Sequence, residues 1–335
     1  MKRLGSVLLC TALILCLGLA AAEGAESDYA WTVTGEETCE ITRYTGDETA
    51  VVVPGTLGGL RVTGLAASAF SGSAVTHVEI PEGVTSVGSM CFSECRALES
   101  VRLPESLTAI GSWAFERTAL IRIEIPAGVT VIGDFCFSEC RGLETVVLTE
   151  GLRELGDCAF MMCTALDEIA LPDSLVTVGD NPFCYCTALT EVKLSPEHPA
   201  LSFLDGALYD GIGRRLICRL CTAPGERFDV PEGCERIGRF ALANNTQLQI
   251  AVLPEGVTSV GSYAFYHCTA LNTAALPASV AEIGESCFDL CVAVTVRAPA
   301  GSHALSWAEA NGLDVLPAEP EADGSPVPVE EDPIY

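Results

Sequence analysis

A glycine followed four residues later by a phenylalanine recurs at a nearly fixed step through this 335-residue chain. The pairs are Gly88/Phe92, Gly111/Phe115, Gly133/Phe137, Gly156/Phe160, Gly179/Phe183, Gly261/Phe265 and Gly284/Phe288, with Gly238/Leu242 and Ala66/Phe70 as weaker copies. A second series keeps the same phase: Pro81, Pro104, Pro126, Thr149, Pro172, Ser195, Pro231, Pro254, Pro277 and Pro299 are separated by 23, 22, 23, 23, 23, 36, 23, 23 and 22 residues. A unit of that size cannot enclose a phenylalanine by itself. Stacked neighbours can, so the repetition predicts one lengthwise core shared between successive coils.

Each part of the unit has an assignable place. In Leu98-Glu99-Ser100-Val101-Arg102-Leu103 the apolar residues fall at the first, fourth and sixth positions, the L-x-x-L-x-L pattern of a leucine-rich repeat. Val101 and Leu103 then point to one side of a short strand, and Ser100 and Arg102 to the other. Pro104 offers no N–H, so the parallel ladder stops and the chain turns. In Ser106-Leu107-Thr108-Ala109-Ile110-Gly111 the apolar Leu107 and Ile110 are expected inside, Gly111 permits either an unusual backbone conformation or a close approach, and Phe115 fills the coil. The expected fold is a leucine-rich repeat solenoid of short parallel strands, curved or extended and right-handed, with a β-hairpin insertion and end caps.

The stretch IPEGVTSVGSMCFSECRALESVRL, residues 80–103, resembles the BspA-type leucine-rich repeat of bacterial and protist surface proteins, and the resemblance covers roughly residues 29–316. Residues 195–221, inside the irregular 36-residue step, resemble that family's hairpin insertion, with strands expected at Ala207–Asp210 and Arg215–Cys218 around an Asp210-Gly211 turn. The start is similar to the family's N-terminal strands, and residues 301–313 to its closing short helix. The implied division is a signal peptide at 1–22, an N-terminal β cap at 23–60, the solenoid at 61–298 with its insertion at 195–229, a C-terminal cap at 299–316 and an acidic, proline-rich disordered tail at 317–335. Leu242 in place of Phe, Thr149 and Ser195 in place of Pro, and Thr118 and Asn245 in place of Cys are modest departures.

The first residues run Met1-Lys2-Arg3, then an almost uncharged apolar stretch from Leu4 to Leu19, then small residues, the pattern of a secretory signal with cleavage expected after Ala22. An uncleaved membrane anchor is the rival reading, and the small residues disfavour it. Cleavage would leave 16 basic against 45 acidic residues, a net charge of −29. Nucleic acid and anionic membrane surfaces are therefore unlikely partners, and membrane insertion after cleavage is not expected. Acidity of this kind is explained by solubility alone.

Fifteen cysteines remain beyond the signal, yet phase argues against a disulfide framework. Cys95, Cys140, Cys163, Cys186, Cys268 and Cys291 all stand three residues after the repeat's apolar anchor, where other coils carry Thr118 or Asn245. A ladder of buried thiols accounts for this better than bonding does, with some disulfides as the alternative. The three Cys-x3-Cys pairs stand in separate coils without paired histidines, so no metal is expected. Cys218-x-x-Cys221 lies outside the ladder and is the remote candidate for thiol–disulfide chemistry. No two of His77, His198, His267 and His303 share a ligand spacing, and neither a nucleophile elbow nor a phosphate loop is present, so neither an enzyme nor a cofactor is expected.

The outward strand positions remain: His77/Glu79, Ser100/Arg102, Arg122/Glu124, Thr145/Val147, Glu168/Ala170, Glu191/Lys193, Ile250/Val252, Thr273/Ala275 and Thr295/Arg297. His77, Glu79, Arg102, Arg122, Glu124, Glu168, Glu191 and Lys193 are the candidate contact residues, with the hairpin insertion beside them. The family resemblance implies a secreted or cell-surface module that binds a protein, host or neighbouring-cell, in adhesion. A passive spacer at the envelope is the alternative.

Overall fold

A computed structural model describes residues 22–23, 25–211 and 214–318. Each coil contributes a three-residue strand to one face, for example Ser100–Arg102, and a two-residue strand to another, for example Ala109–Ile110. Equivalent residues pair in parallel one repeat apart: Ser100 with His77, Arg122 with Thr145, Glu168 with Glu191, and Ala109 with both Ser86 and Val131. The expected leucine-rich repeat solenoid is what the chain forms.

Of the two roles open to the repeat's glycines, the structure selects close approach. None of the seven glycines of the Gly–Phe pairs has positive φ. A Cβ at Gly111 would lie 2.6 Å from the Ser89 nitrogen, and at Gly133 2.4 Å from the Ser112 nitrogen, closer than real atoms come. The unusual conformations belong instead to side-chain-bearing residues on either side of the phenylalanine: Trp113 and Arg117 around Phe115, Phe135 and Glu139 around Phe137, all at φ of 53–58°. This strained alternation turns N–H groups toward the next coil. Trp113, Phe115 and Arg117 donate to the carbonyls of Asp134, Cys136 and Ser138 at 2.8–2.9 Å, and corresponding triples run from coil to coil between Ser68 and Cys184 and again between Phe240 and Asp289.

The phenylalanines stack face to face. Ring centroids along Phe70, Phe92, Phe115, Phe137 and Phe160 are 5.0–5.4 Å apart, Phe183 follows at 6.1 Å, and the file begins on Tyr44 of the N-terminal cap, 5.0 Å from Phe70. Phe265 and Phe288 stack at 4.9 Å, and Trp307 of the closing helix His303–Ala310 meets Phe288 at 6.1 Å. Beside the rings, Cys95, Cys140, Cys163, Cys186, Cys268 and Cys291 each donate S–H to the carbonyl of the preceding coil's anchor at 3.0–3.2 Å: Phe70, Phe115, Phe137, Phe160, Leu242 and Phe265. The fifteen cysteines beyond residue 22 all stand as free thiols. Thr118 keeps the pattern differently, donating to Phe115's carbonyl at 3.0 Å and touching the Cys140 thiol at 3.1 Å.

The insertion corrects one expectation. Strands Leu201–Leu204, Ala207–Asp210 and Arg215–Arg219 form an antiparallel meander, and its last strand pairs in parallel with Arg236–Ile237 of the next coil. Three strands stand where two were expected, and the second and third are buried on both sides. Leu208, Ile217 and Cys218 belong to the core of the preceding coils, whereas Ala207, Tyr209 and Leu216 belong to the core of the following ones. Among its three strands only the first shows exposed side chains, at Ser202 and at Leu204, which is 52 % exposed, while its turns expose Asp205, Arg214 and Glu226. The insertion is thus a wedge that splices two half-solenoids.

Arg219 lies in that splice, 3 % exposed and without an ion pair among the described residues. It donates through Nη1 to the Asn245 side-chain oxygen and through Nη2 to the Pro224 carbonyl at 2.9 Å, and its guanidinium sits 5.0 Å from the Phe228 ring centre. Burial pushes its pKa down. Two departures from the repeat, Leu242 and Asn245, fall in the coil whose Ala241 carbonyl accepts the Arg219 N–H.

At the ends, strands Tyr29–Gly35 and Thr38–Tyr44 pair antiparallel, and Thr38–Tyr44 leads in parallel into Leu60–Leu65. The final strand, Asp314–Ala318, pairs with Thr295–Pro299, so Pro317 and Ala318, expected in the tail, belong to a strand. The signal segment 1–21 and tail residues 319–335 lie outside the described residues. Ala22–Glu23, at the expected cleavage point, pairs with Val51–Val52.

Candidate binding surface

The three-residue strands carry their middle residue inward and the flanking two outward, as their burial shows at Arg122-Ile123-Glu124 and Glu191-Val192-Lys193. Strand pairing therefore sets outward residues in two files. One runs Ala50, His77, Ser100 and the other Val52, Glu79, Arg102, and the same register recurs in the separate pairs Arg122–Thr145 with Glu124–Val147 and Glu168–Glu191 with Ala170–Lys193. The expected charges come together across the coils. Arg102 reaches Glu79 at 2.9 Å, and Lys193 bridges Glu168 at 2.5 Å and Glu191 at 3.9 Å. Arg122 stands 3.6 Å from Glu124 of its own strand. His77 Nδ1 lies 2.8 Å from the Thr76 hydroxyl. Pairing with Glu168 raises the Lys193 pKa. Exposed ion pairs of this kind add little stability, but they hold long side chains in a fixed pattern.

Two details depart from the sequence reading. Val252 and Ala275, expected on the solvated face, are 4 % and 7 % exposed, so past the wedge one file is closed at its two middle coils, between Asp229 and Arg297, while the other carries Ile250, Thr273 and Thr295. The strand Arg227–Asp229 was missed, and it brings a guanidinium and a carboxylate outward, with Nη2 of Arg227 2.8 Å from Asp229. Its signal was available: Arg227-Phe228-Asp229-Val230-Pro231 has the form of Arg122-Ile123-Glu124-Ile125-Pro126, hidden by the 36-residue step.

The remote thiol candidate finds no support in its surroundings. Cys218 is 1 % exposed within a strand, and burial pushes its thiol up to about 12. Cys221 is half-buried, with its S–H on the Cys186 carbonyl at 3.4 Å, and its pKa is also raised by burial. A nucleophilic thiol needs the opposite setting, a lowered pKa at a helix start. Among the described residues no group of three or more His, Cys, Asp or Glu could hold a metal, and no helix is long and apolar enough to cross a membrane.

Known proteins resemble this architecture. The chain superposes on the pneumococcal vaccine antigen PcpA with a TM-score of 0.67 at 19 % identity, covering 81 % of this chain and 79 % of that one. A leucine-rich cell surface protein of Faecalibacterium prausnitzii gives 0.55 at 24 % identity over 88 % and 98 % of the two chains. The T. pallidum leucine-rich repeat protein TpLRR gives 0.51 at 33 % identity, over 52 % of this chain and 84 % of that one. No curated protein matches the sequence. The family described as BspA type leucine rich repeat region matches in six copies across residues 63–198 and 221–298. The chain belongs to the BspA-type leucine-rich repeat family.

Proposed function

We propose that this protein is an exported surface module that captures another protein through its strand face, in adhesion and without a catalytic step. The observation that carries the reading is the pair of outward files between His77 and Lys193, where ion pairs across coils hold charges of both signs in a set pattern. Six strands at ~4.8 Å spacing make this part of the face about 25 Å long. The family match and the cell-surface relative from Faecalibacterium prausnitzii support the location. Residues 1–22 serve as the cleaved export signal, which N-terminal sequencing of secreted protein tests.

The triple variant Arg102→Glu, Arg122→Glu, Lys193→Glu reverses the cations of both files and breaks the pairs at Glu79 and Glu168. Capture of partners from host and neighbouring-cell extracts by the mature protein is expected to be lost in the variant. Capture that survives all three reversals overturns the strand-face reading and leaves a passive spacer.

A further inference from the structure

The one-residue shortening between Pro104 and Pro126 builds a notch. Two near-identical coils, Phe92-Ser93-Glu94-Cys95-Arg96-Ala97-Leu98 and Phe137-Ser138-Glu139-Cys140-Arg141-Gly142-Leu143, flank the shorter Phe115-Glu116-Arg117-Thr118-Ala119-Leu120. The middle coil lacks the residue that is arginine on both sides. Arg96 and Arg141 each close a tight turn by donating their backbone N–H to the Glu94 and Glu139 carbonyls at 2.8 Å, a turn the middle coil does not make. The gap holds about 550 Å³ and is lined by Arg96, Arg117, Thr118, Ala119, Glu139, Arg141 and Gly142.

Three guanidiniums meet there on a chain whose acidic residues outnumber its basic ones by 45 to 18. Arg117 takes the position that is glutamate in the flanking coils and spans both of them, 2.5 Å from Glu94 and 2.8 Å from Glu139. Arg96 lays Nε and Nη2 on Glu94 at 2.8 Å, and Arg141 lays Nη2 on Glu139 at 3.3 Å. Glu116 lies 3.9 Å from Arg117, and the Ser93 hydroxyl donates to it. The three carboxylates balance the three arginines and set the planes of the outer two. Nη1 of Arg96 and Nε and Nη1 of Arg141 carry no partner among the described residues, and both side chains are largely exposed. Two oriented forks with spare donors, two coils or about 10 Å apart, face each other over a floor of small side chains. Ile121, 51 % exposed, adjoins the notch where the flanking coils carry Glu99 and Glu144.

We propose that this notch is an anion-binding subsite that seats a carboxylate side chain from an acidic segment of a partner protein between Arg96 and Arg141. Arginine forks match carboxylates by paired N–H···O bonds, and guanidiniums already held in place lose little freedom on binding. The small floor admits a peptide side chain, and Ile121 gives its backbone an apolar neighbour. The long-range field opposes an acidic ligand, so the attraction is local and strengthens with moderate salt as the chain's distant charges are screened.

The test titrates the whole secreted protein, with arginine Nε–H resonances followed by NMR. The probes are a capped hexapeptide of alternating glutamate and glycine, its glutamine counterpart, and inorganic phosphate. Saturable shifts at Arg96 and Arg141 with the glutamate peptide, at least tenfold tighter than with either other probe, are expected. Arg96→Gln with Arg141→Gln, both at exposed sites, weakens that binding at least tenfold. Insertion of one alanine between Thr118 and Ala119 restores the 23-residue step, keeps every charge, fills the notch and has the same effect. Equal binding of the glutamine peptide or of phosphate, or full binding by the insertion variant, overturns the proposal. The titration needs no native partner, so its failure is separate from failure of the strand-face reading.

Discussion

Asn245→Cys restores the residue that six other coils carry at this position, and by repeat logic alone it is harmless. The structure assigns it a large cost. Asn245 Oδ1 accepts from the buried Arg219 guanidinium, and its Nδ2 donates to the Leu242 carbonyl at 3.0 Å and the Arg219 carbonyl at 3.2 Å. A hydrogen bond to a charged group contributes about 1.5–3 kcal/mol and a neutral one about 0.5–1.5 kcal/mol. Cysteine replaces neither in full, so the loss is about 3 kcal/mol, at the low end of the range for depriving a buried charge of its partner because the Pro224 carbonyl remains. Adding Arg219→Met removes the charge itself and keeps much of the stem's volume, so the double variant returns to within about 1.5 kcal/mol of the parent. Urea denaturation of both variants beside the parent measures this, through midpoints at matched slopes. A single-variant loss under about 1 kcal/mol, or a double variant no better than the single one, refutes the assignment of Asn245 as the acceptor a buried arginine requires.

Gly133→Ala forces a Cβ to 2.4 Å from the Ser112 nitrogen, whereas Gly55→Ala meets nothing within 4 Å; a marked drop in melting temperature is expected for the first and almost none for the second. Ser106→Ala removes the hydroxyl that accepts from the Gly83 N–H at 2.9 Å and donates to the Val84 carbonyl at 2.8 Å, which lowers stability by about 1–2 kcal/mol in urea. Hydrogen bonds from Arg117 hold the Glu94 and Glu139 carboxyls below their usual range. Their contribution is therefore present above the ordinary value of 4.5 and lost as pH falls through the lowered values, so the stability gap between parent and Arg117→Met narrows from pH 6 to pH 3. Alkylation of the native protein at neutral pH, read by mass spectrometry, marks Cys221 and Cys291 before the thirteen buried thiols, and early labelling of Cys218 contradicts its burial.

Much of this architecture was legible because the repeat writes each structural demand many times. The glycine that two backbones press against, the ring that stacks and the thiol that reaches back one coil all appear at one phase, and the family resemblance followed from them. The irregular step hid what happened only once. Its three-residue apolar runs, Ala207-Leu208-Tyr209 and Leu216-Ile217-Cys218, are what a strand buried on both faces shows, a sign that the expected two-stranded hairpin left unused. Asn245 looked like a tolerated small residue because its partner lies 26 positions away, in a segment outside the repeat. The charges of the strand face were visible in sequence, but their pairing across coils depends on register, which spacing implies and only the fold makes concrete.

The turns beside Phe70, Phe92, Phe115, Phe137 and Phe160, and those beside Leu242 and Phe265, send their N–H groups toward the later coil. Within each of these two runs a unit brings as many such donors for its successor as acceptors for its predecessor. A duplicated 23-residue segment spliced between Pro104 and Pro172 would therefore find partners for its turn amides on both sides. The polarity reverses at the glycine position, where the later coil donates to the earlier one, so the front cap serves both ways: the Tyr44 amide donates to the Ala69 carbonyl and the Ile41 carbonyl accepts from the Ala66 N–H.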